Sequence, residues 1–429
     1  MMQRVIAGMG ANSFGMAVTI GIQLASLPLF LYFWDTPTYG VWLMLSAIPA
    51  YLSMADVGMV TATANKMTMS MGRNEVREAN RIFQSTQKFM FGMCSLIALV
   101  VLPCILFVPV AGITDTSTRI ALASLCIGVL FALFGGLSEA VFKATGRYAI
   151  GTAIGHLVRL GEWLGFMAGL AIFGSFAGVA LMGLGMRVLG TLIAMLSARA
   201  GGHGLQWGFA QADRAEIKAT LKPAVTFMAF PLASALSLQG ITLLVGATLG
   251  PVAVAVLNTY RTIARIAVQV SAVMSHALWP EFSRLYGQGA YGQVASIFKK
   301  SAAIGILQAV LLSTVLYFIS PLLLRTWTHG NIEFLPVFMG VMLTYAAIGG
   351  VWHVPRVLLM AINQHIGIAY WSIAASGLTV GLAFVMGQRY GLTGIGLAML
   401  FGELFIALIA ARLASGTLRI AQLQQPHPI

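Results

Sequence analysis

Charge is scarce in this chain: 9% of its 429 residues are Asp, Glu, Lys or Arg, and only 12 are acidic. A soluble protein carries about a quarter of its residues as charge to cover its surface, so a water-soluble globule is excluded. Cysteine is scarce too. Cys94, Cys104 and Cys126 all fall in apolar stretches, an odd number that argues against a disulfide framework. No CxxC or His/Cys spacing suggests a metal site, and no Walker motif suggests ATP hydrolysis. Nor does any loop offer a nucleophile–base pair, a carboxylate pair, or the length to hold an enzyme site. The expectation is a non-enzyme that needs no cofactor.

What is abundant is apolar sequence, 59% of residues with a mean hydropathy of +0.87. Stretches of ~20 apolar residues, each long enough to cross a ~30 Å hydrocarbon core, recur from end to end. They fall near 10–34, 38–63, 86–110, 118–142, 151–173, 176–198, 223–248, 252–276, 302–324, 334–355, 366–387 and 391–412. The first is longer than the apolar core of a secretory signal and continues directly into a second span, so it reads as a retained helix. The expected fold is an all-α integral membrane protein of about 12 transmembrane helices, in two six-helix halves around a central cavity.

The net charge of +13 sits at helix ends, which makes it a matter of topology rather than of nucleic-acid binding. With alternating loops, 18 Lys and Arg, the loop residue Arg356 among them, lie on the side of the N-terminus and three (Arg119, Arg325, Arg389) on the other. The positive-inside rule then puts both termini in the cytoplasm. Arg73, Arg77 and Arg81 form one basic stripe at four-residue spacing, and Arg214, Lys218 and Lys222 form another after Asp213 and with Glu216. Both read as interfacial helices on anionic lipid, with docking of a partner enzyme as the alternative.

A shift of 215 residues lays helix 1 on helix 7 and helix 2 on helix 8, with Pro37 and Pro251 before the paired second helices. The expected division is a half over 1–200, a cytoplasmic linker over 201–222 and a half over 223–429. Gly151, Gly155, Gly161, Gly165 and Gly169 make a close-packing surface in the fifth helix.

Six ionisable residues fall far from helix ends: Arg159 and Glu162, Arg187, Arg261 and Arg265, and Glu403, with a net charge of +2. Arg261 and Arg265 sit ~15 and ~21 Å along their helix from Pro251 and share a face. An intramembrane Arg costs at least ~2.5 kcal/mol, so each needs a partner or a watery cavity. Glu162 can pair with Arg159 and Glu403 with one more Arg, which leaves at least two uncompensated. A cavity that accepts an anion explains the excess, because guanidinium grips phosphate in two-pronged fashion. An interhelical ion-pair network is the alternative. Glu162 and Glu403 are also candidates for a coupling proton or cation. Asp56 and Glu139 read as turn or cap residues, and His156 as a packing residue.

Ala55-Asp56-Val57-Gly58-Met59, followed by Asn65-Lys66 and a charged stretch to Phe83, resembles the "DLGL" turn and loop of bacterial polysaccharide flippases. Those O-antigen and exopolysaccharide translocases belong to the multidrug/oligosaccharidyl-lipid/polysaccharide exporter superfamily. Tyr39-Gly40-Val41-Trp42 and Trp279-Pro280-Glu281-Phe282-Ser283-Arg284-Leu285 are similar to the family as well. The resemblance implies alternating-access movement of an undecaprenyl-diphosphate-linked oligosaccharide across the bacterial inner membrane. It also implies lipid and polysaccharide-assembly proteins as partners. The competing readings are a multidrug/cation antiporter of the same superfamily, which calls for an acidic cavity, and a membrane sugar polymerase or ligase. Reporter fusions at Gly202 and Gln288 are expected to read cytoplasmic and those at Ser117 and Asn331 periplasmic; a periplasmic signal at Gly202 would break the six-plus-six scheme.

Overall fold

The computed structural model describes residues 2–107, 115–201, 204–278, 281–282, 285–286, 288–362, 364 and 366–423. Trp279, Pro280, Ser283 and Arg284 of the family-like stretch lie outside the described residues. All described elements are helices: α1 (Met2–Phe33), α2 (Thr36–Leu52), α3 (Met59–Gly72), α4 (Val76–Phe107), α5 (Thr116–Ala144), α6 (Tyr148–Phe173), α7 (Phe176–Ala200) and α8 (Arg214–Phe227). Then come α9 (Ala229–Ala235), a π turn (Leu236–Gly240), α10 (Ile241–Leu249), α11 (Pro251–Ala277), α12 (Tyr291–Trp327), α13 (Pro336–Val351), α14 (His353–Ala361) and α15 (Ile366–Leu423).

Among the described residues, nine helices are long and apolar enough to cross a membrane. One, at 55 residues, is far longer than a ~30 Å core admits and breaks at Gly391 (φ 57°, ψ −141°), so it is two spans. Two further spans are missed by length or composition: α2 with α3, each short because the helix breaks between Leu52 and Met59, and α11, which carries Arg261 and Arg265. The total is the expected 12. Side chains such as Phe107, Phe318 and Leu99, 74–80% exposed, form the lipid-facing surface.

By contacts the chain makes two compact units, Met1–Trp34 with Leu45–Met228, and Asp35–Met44 with Ala229–Ile429. The first part of α2 belongs to the second unit because Gly40 lets it touch the start of α11. A Cβ there would fall 1.9 Å from the Pro251 carbonyl oxygen. The 215-residue repeat reappears in helix starts: Thr36 and Pro251, and Val76 and Tyr291, are each separated by that offset.

One local expectation changes: the Arg73, Arg77 and Arg81 stripe is not one separate interfacial helix, since Arg73 caps the end of α3 while Arg77 and Arg81 stand in the first turns of α4, which runs unbroken from Val76 to Phe107. Within the 201–222 stretch, the backbone is held on α4. Asn80 donates to Gly204 O (2.9 Å) and accepts from Gln206 N (2.7 Å), and Gln84 accepts from Gln211 N (2.7 Å). Asp213 caps α8 by accepting from Ala215 N (2.9 Å), while buried Glu216 takes the Lys66 ammonium at 2.8 Å. Asp56 is likewise a turn residue, accepting from Gly58 N at 3.1 Å before α3.

Gly165 and Gly169 bring α6 against α7, where a Cβ would meet the backbone oxygens of Met182 and Gly178 at 2.7 and 2.5 Å. Gly155 instead has nothing within 4 Å, since it opens onto a cavity.

Candidate functional site

Each compact unit holds its own polar cavity. The first, of about 320 Å³, lies among α5, α6 and α7 and is lined by Ser138, Glu139, His156, Arg159, Arg187 and Thr191. Because α6 and α7 pack so closely, the Arg187 guanidinium reaches across to Glu162 and forms a hydrogen-bonded ion pair, with side chains 19% and 18% exposed. The expected Arg159–Glu162 pair is therefore replaced by Arg187–Glu162. Spacing along one helix permitted the first, but Arg159 turns toward α1.

There Arg159 is one rung of a polar ladder. Asn12 accepts from the Tyr148 hydroxyl (3.2 Å), Thr19 faces Arg159 Nη1 (3.4 Å) and Ser26 accepts from Trp163 Nε1 (2.9 Å). His156 packs on the α1 backbone at Gly15, where a Cβ would fall 1.9 Å from its Nε2. Arg159 is exposed and has no carboxylate partner among the described residues.

In the second unit, Arg261 is buried (4% exposed). Its Nη1 donates to Leu238 O at 3.0 Å, in the π turn, and to Thr242 Oγ1 at 3.1 Å. Its Nε and Nη2, which together form the side edge of the fork, meet no hydrogen-bond partner among the described residues. Half-buried Arg265 follows one turn later, and both arginines lie within electrostatic reach of Tyr345. Neither pairs with a glutamate among the described residues.

The second cavity, of about 260 Å³, has walls from α9, the π turn, α13, α14 and α15; Ser237, Tyr345, Arg356, Ser376 and Glu403 line it. Glu403 accepts from Trp352 Nε1 at 2.7 Å, and the Arg356 guanidinium lies over the Trp352 ring, 5.7 Å from its centre. Arg356 is thus no loop residue. It stands in α14, inside the apolar run Pro336–Ala361, as the cation that faces Glu403. Sequence reading ended that span near residue 355 and placed Arg356 with the loop charges. The available signal was Glu403 itself, an intramembrane carboxylate that required a cation.

These features define a multi-pass helical membrane protein in two halves with charged cavities. Its fold is that of transporters: an inward-facing multidrug resistance MATE family transporter of the MOP superfamily superposes with a TM-score of 0.71 at 14% identity, covering 98% of this chain and 100% of that one. An outward-facing MATE transporter gives 0.64 at 13%, covering 98% and 95%. A MOP superfamily transporter from Pyrococcus furiosus Vc1 (DSM3638), described as having a binding pocket of reverse polarity that suggests a different function, gives 0.55 at 11%, covering 98% and 94%. No family model and no curated protein matches the sequence.

Removing one member of the Arg187–Glu162 pair strands a poorly solvated charge. Arg187→Met is expected to cost about 3–5 kcal/mol of stability, and Arg187→Met with Glu162→Leu to recover most of it. Thermal unfolding in detergent reads this out, and simple additivity of the two single losses would contradict the pair.

Proposed function

We propose that this protein is a transporter that flips an undecaprenyl-diphosphate-linked oligosaccharide across the bacterial inner membrane, with both termini in the cytoplasm. The carrying observation is Arg159, an arginine on a cavity wall, deep in a span, with a long contact to a threonine and, among the described residues, no carboxylate to neutralise it. Arg187 stands beside it in the same cavity, and Arg261 keeps a two-nitrogen edge unspent beside Arg265. Planar forks of this kind suit the oxygens of a diphosphate. With Arg356 counted, five arginines stand deep in the described spans (Arg159, Arg187, Arg261, Arg265, Arg356) against four acids (Asp56, Glu139, Glu162, Glu403). An anionic head group fits that excess better than a cationic drug does.

Alternating access is supported by the fold, which similar transporters adopt in inward- and outward-facing forms. Glu162 and Glu403 are the candidate coupling carboxylates, and each would take up a proton or cation by exchanging its arginine partner. Anionic lipid at the basic helix ends and polysaccharide-assembly proteins complete the proposed partners. The multidrug antiporter is the second reading, favoured by the descriptions of the MATE neighbours.

Deleting the gene in its host is expected to trap lipid-linked repeat units on the cytoplasmic leaflet. Complementation with Arg159→Ala at normal protein level is expected to lower export, since losing a hydrogen-bonded charge contact costs ~2–5 kcal/mol, or roughly 30-fold to several thousand-fold in affinity. Full export by Arg159→Ala would contradict the anion site, and single units already outside the cell would point to a polymerase.

A further inference from the structure

The cavity of the second unit differs in chemistry from that of the first. Its one cation and its one carboxylate, Arg356 and Glu403, line the same wall and both meet Trp352, so the lining carries a charge of each sign rather than a basic excess. The rest of the wall is rich in hydroxyls. Ser237 donates to Ser376 (2.8 Å), and Ser376 donates in turn to Ala233 O (2.9 Å). Ser372 and Thr379 donate to the carbonyls of Ile368 and Ala375, each at 2.8 Å. With the Ser237 proton committed to Ser376 and those of Ser372, Ser376 and Thr379 to backbone, these oxygens have lone pairs left to accept. The Glu403 carboxylate, bonded on one oxygen to Trp352 Nε1, adds further acceptor capacity, while the Arg356 guanidinium is a donor. A lone dehydrated cation would leave most of a 260 Å³ space unfilled, for a single water occupies ~30 Å³ of liquid. An acyl chain would strand every polar group on the wall.

We infer that the cavity lined by Ser237, Tyr345, Arg356, Ser376 and Glu403 is a subsite for an uncharged sugar residue. A sugar ring presents several hydroxyls, each both donor and acceptor, and this wall supplies the complement of both. The assignment rests on the flippase reading for the identity of the whole substrate, but the site stands on its own lining. Arg261 contributes indirectly, because its bond to Leu238 O holds the π turn that carries Ser237.

The test uses the full chain in lipid nanodiscs and two kinds of probe. One is a set of neutral glycosides (methyl β-D-glucoside, methyl α-D-mannoside, methyl N-acetyl-β-D-glucosaminide); the other is inorganic diphosphate. Ligand-observed saturation-transfer NMR titrations measure binding. At least one glycoside is expected to bind saturably. Glu403→Gln, which keeps an acceptor for Trp352, and Ser376→Ala are each expected to weaken it about tenfold, the weight of one hydrogen bond to a charged or buried group, with diphosphate affinity unchanged. Arg159→Ala is expected to weaken diphosphate and spare the glycoside. If no glycoside saturates, or if Arg159→Ala weakens the glycoside as much as Glu403→Gln does, the sugar subsite is overturned. Glycoside binding without diphosphate binding would support the subsite and defeat the anion reading instead.

Discussion

A guanidinium placed in hydrocarbon has to be answered, and the interior of this protein is arranged around five such demands. An arginine in mid-span costs at least ~2.5 kcal/mol unless a carboxylate, a carbonyl or water meets it. Arg187 is met by Glu162, and Arg356 faces Glu403. Arg261 is met by a backbone oxygen, Leu238 O, in a π turn. Such turns disturb the regular helical ladder and are frequent at functional positions. Among the described residues, Arg159 is answered by a long contact to Thr19 and by the open cavity beside it. The unequal treatment of these arginines separates scaffold from candidate site more sharply than their positions in the chain do.

Much of the architecture was legible in the sequence, since in lipid a helix must satisfy its own backbone and be apolar for about 20 residues. The break near Gly391, the tight α6–α7 packing at Gly165 and Gly169, and the turn at Asp56 all follow from local chemistry that the sequence displays. The 215-residue repeat, faint in identity, recurs in the helix starts at Thr36 and Pro251 and at Val76 and Tyr291.

What was not legible depends on which faces meet. Arg159 and Glu162 share a helix and were natural partners by spacing, yet the close approach of α7 hands Glu162 to Arg187. Arg356 sits at the end of an apolar run whose helix bends at Trp352, so hydropathy assigned it to a loop. Asp35–Met44 joins the second unit through close contacts such as Gly40 with Pro251 and Met44 with Gly246, which no periodicity records. The polar pins from Asn80 and Gln84 that hold the 204–211 backbone look, in sequence, like an ordinary polar helix end.

The fold is shared with a multidrug resistance transporter and with a transporter whose binding pocket of reverse polarity suggests a different function, so the fold alone leaves the cargo open and the charged side chains must decide it. The most direct measurement is made in proteoliposomes that carry the purified chain and a fluorescent polyprenyl-diphosphate oligosaccharide. An anion-carrying flippase predicts that the labelled lipid crosses to the protected leaflet, that inorganic diphosphate slows the crossing, and that a cationic dye is left behind. Movement of the dye with the labelled lipid left in place would contradict it.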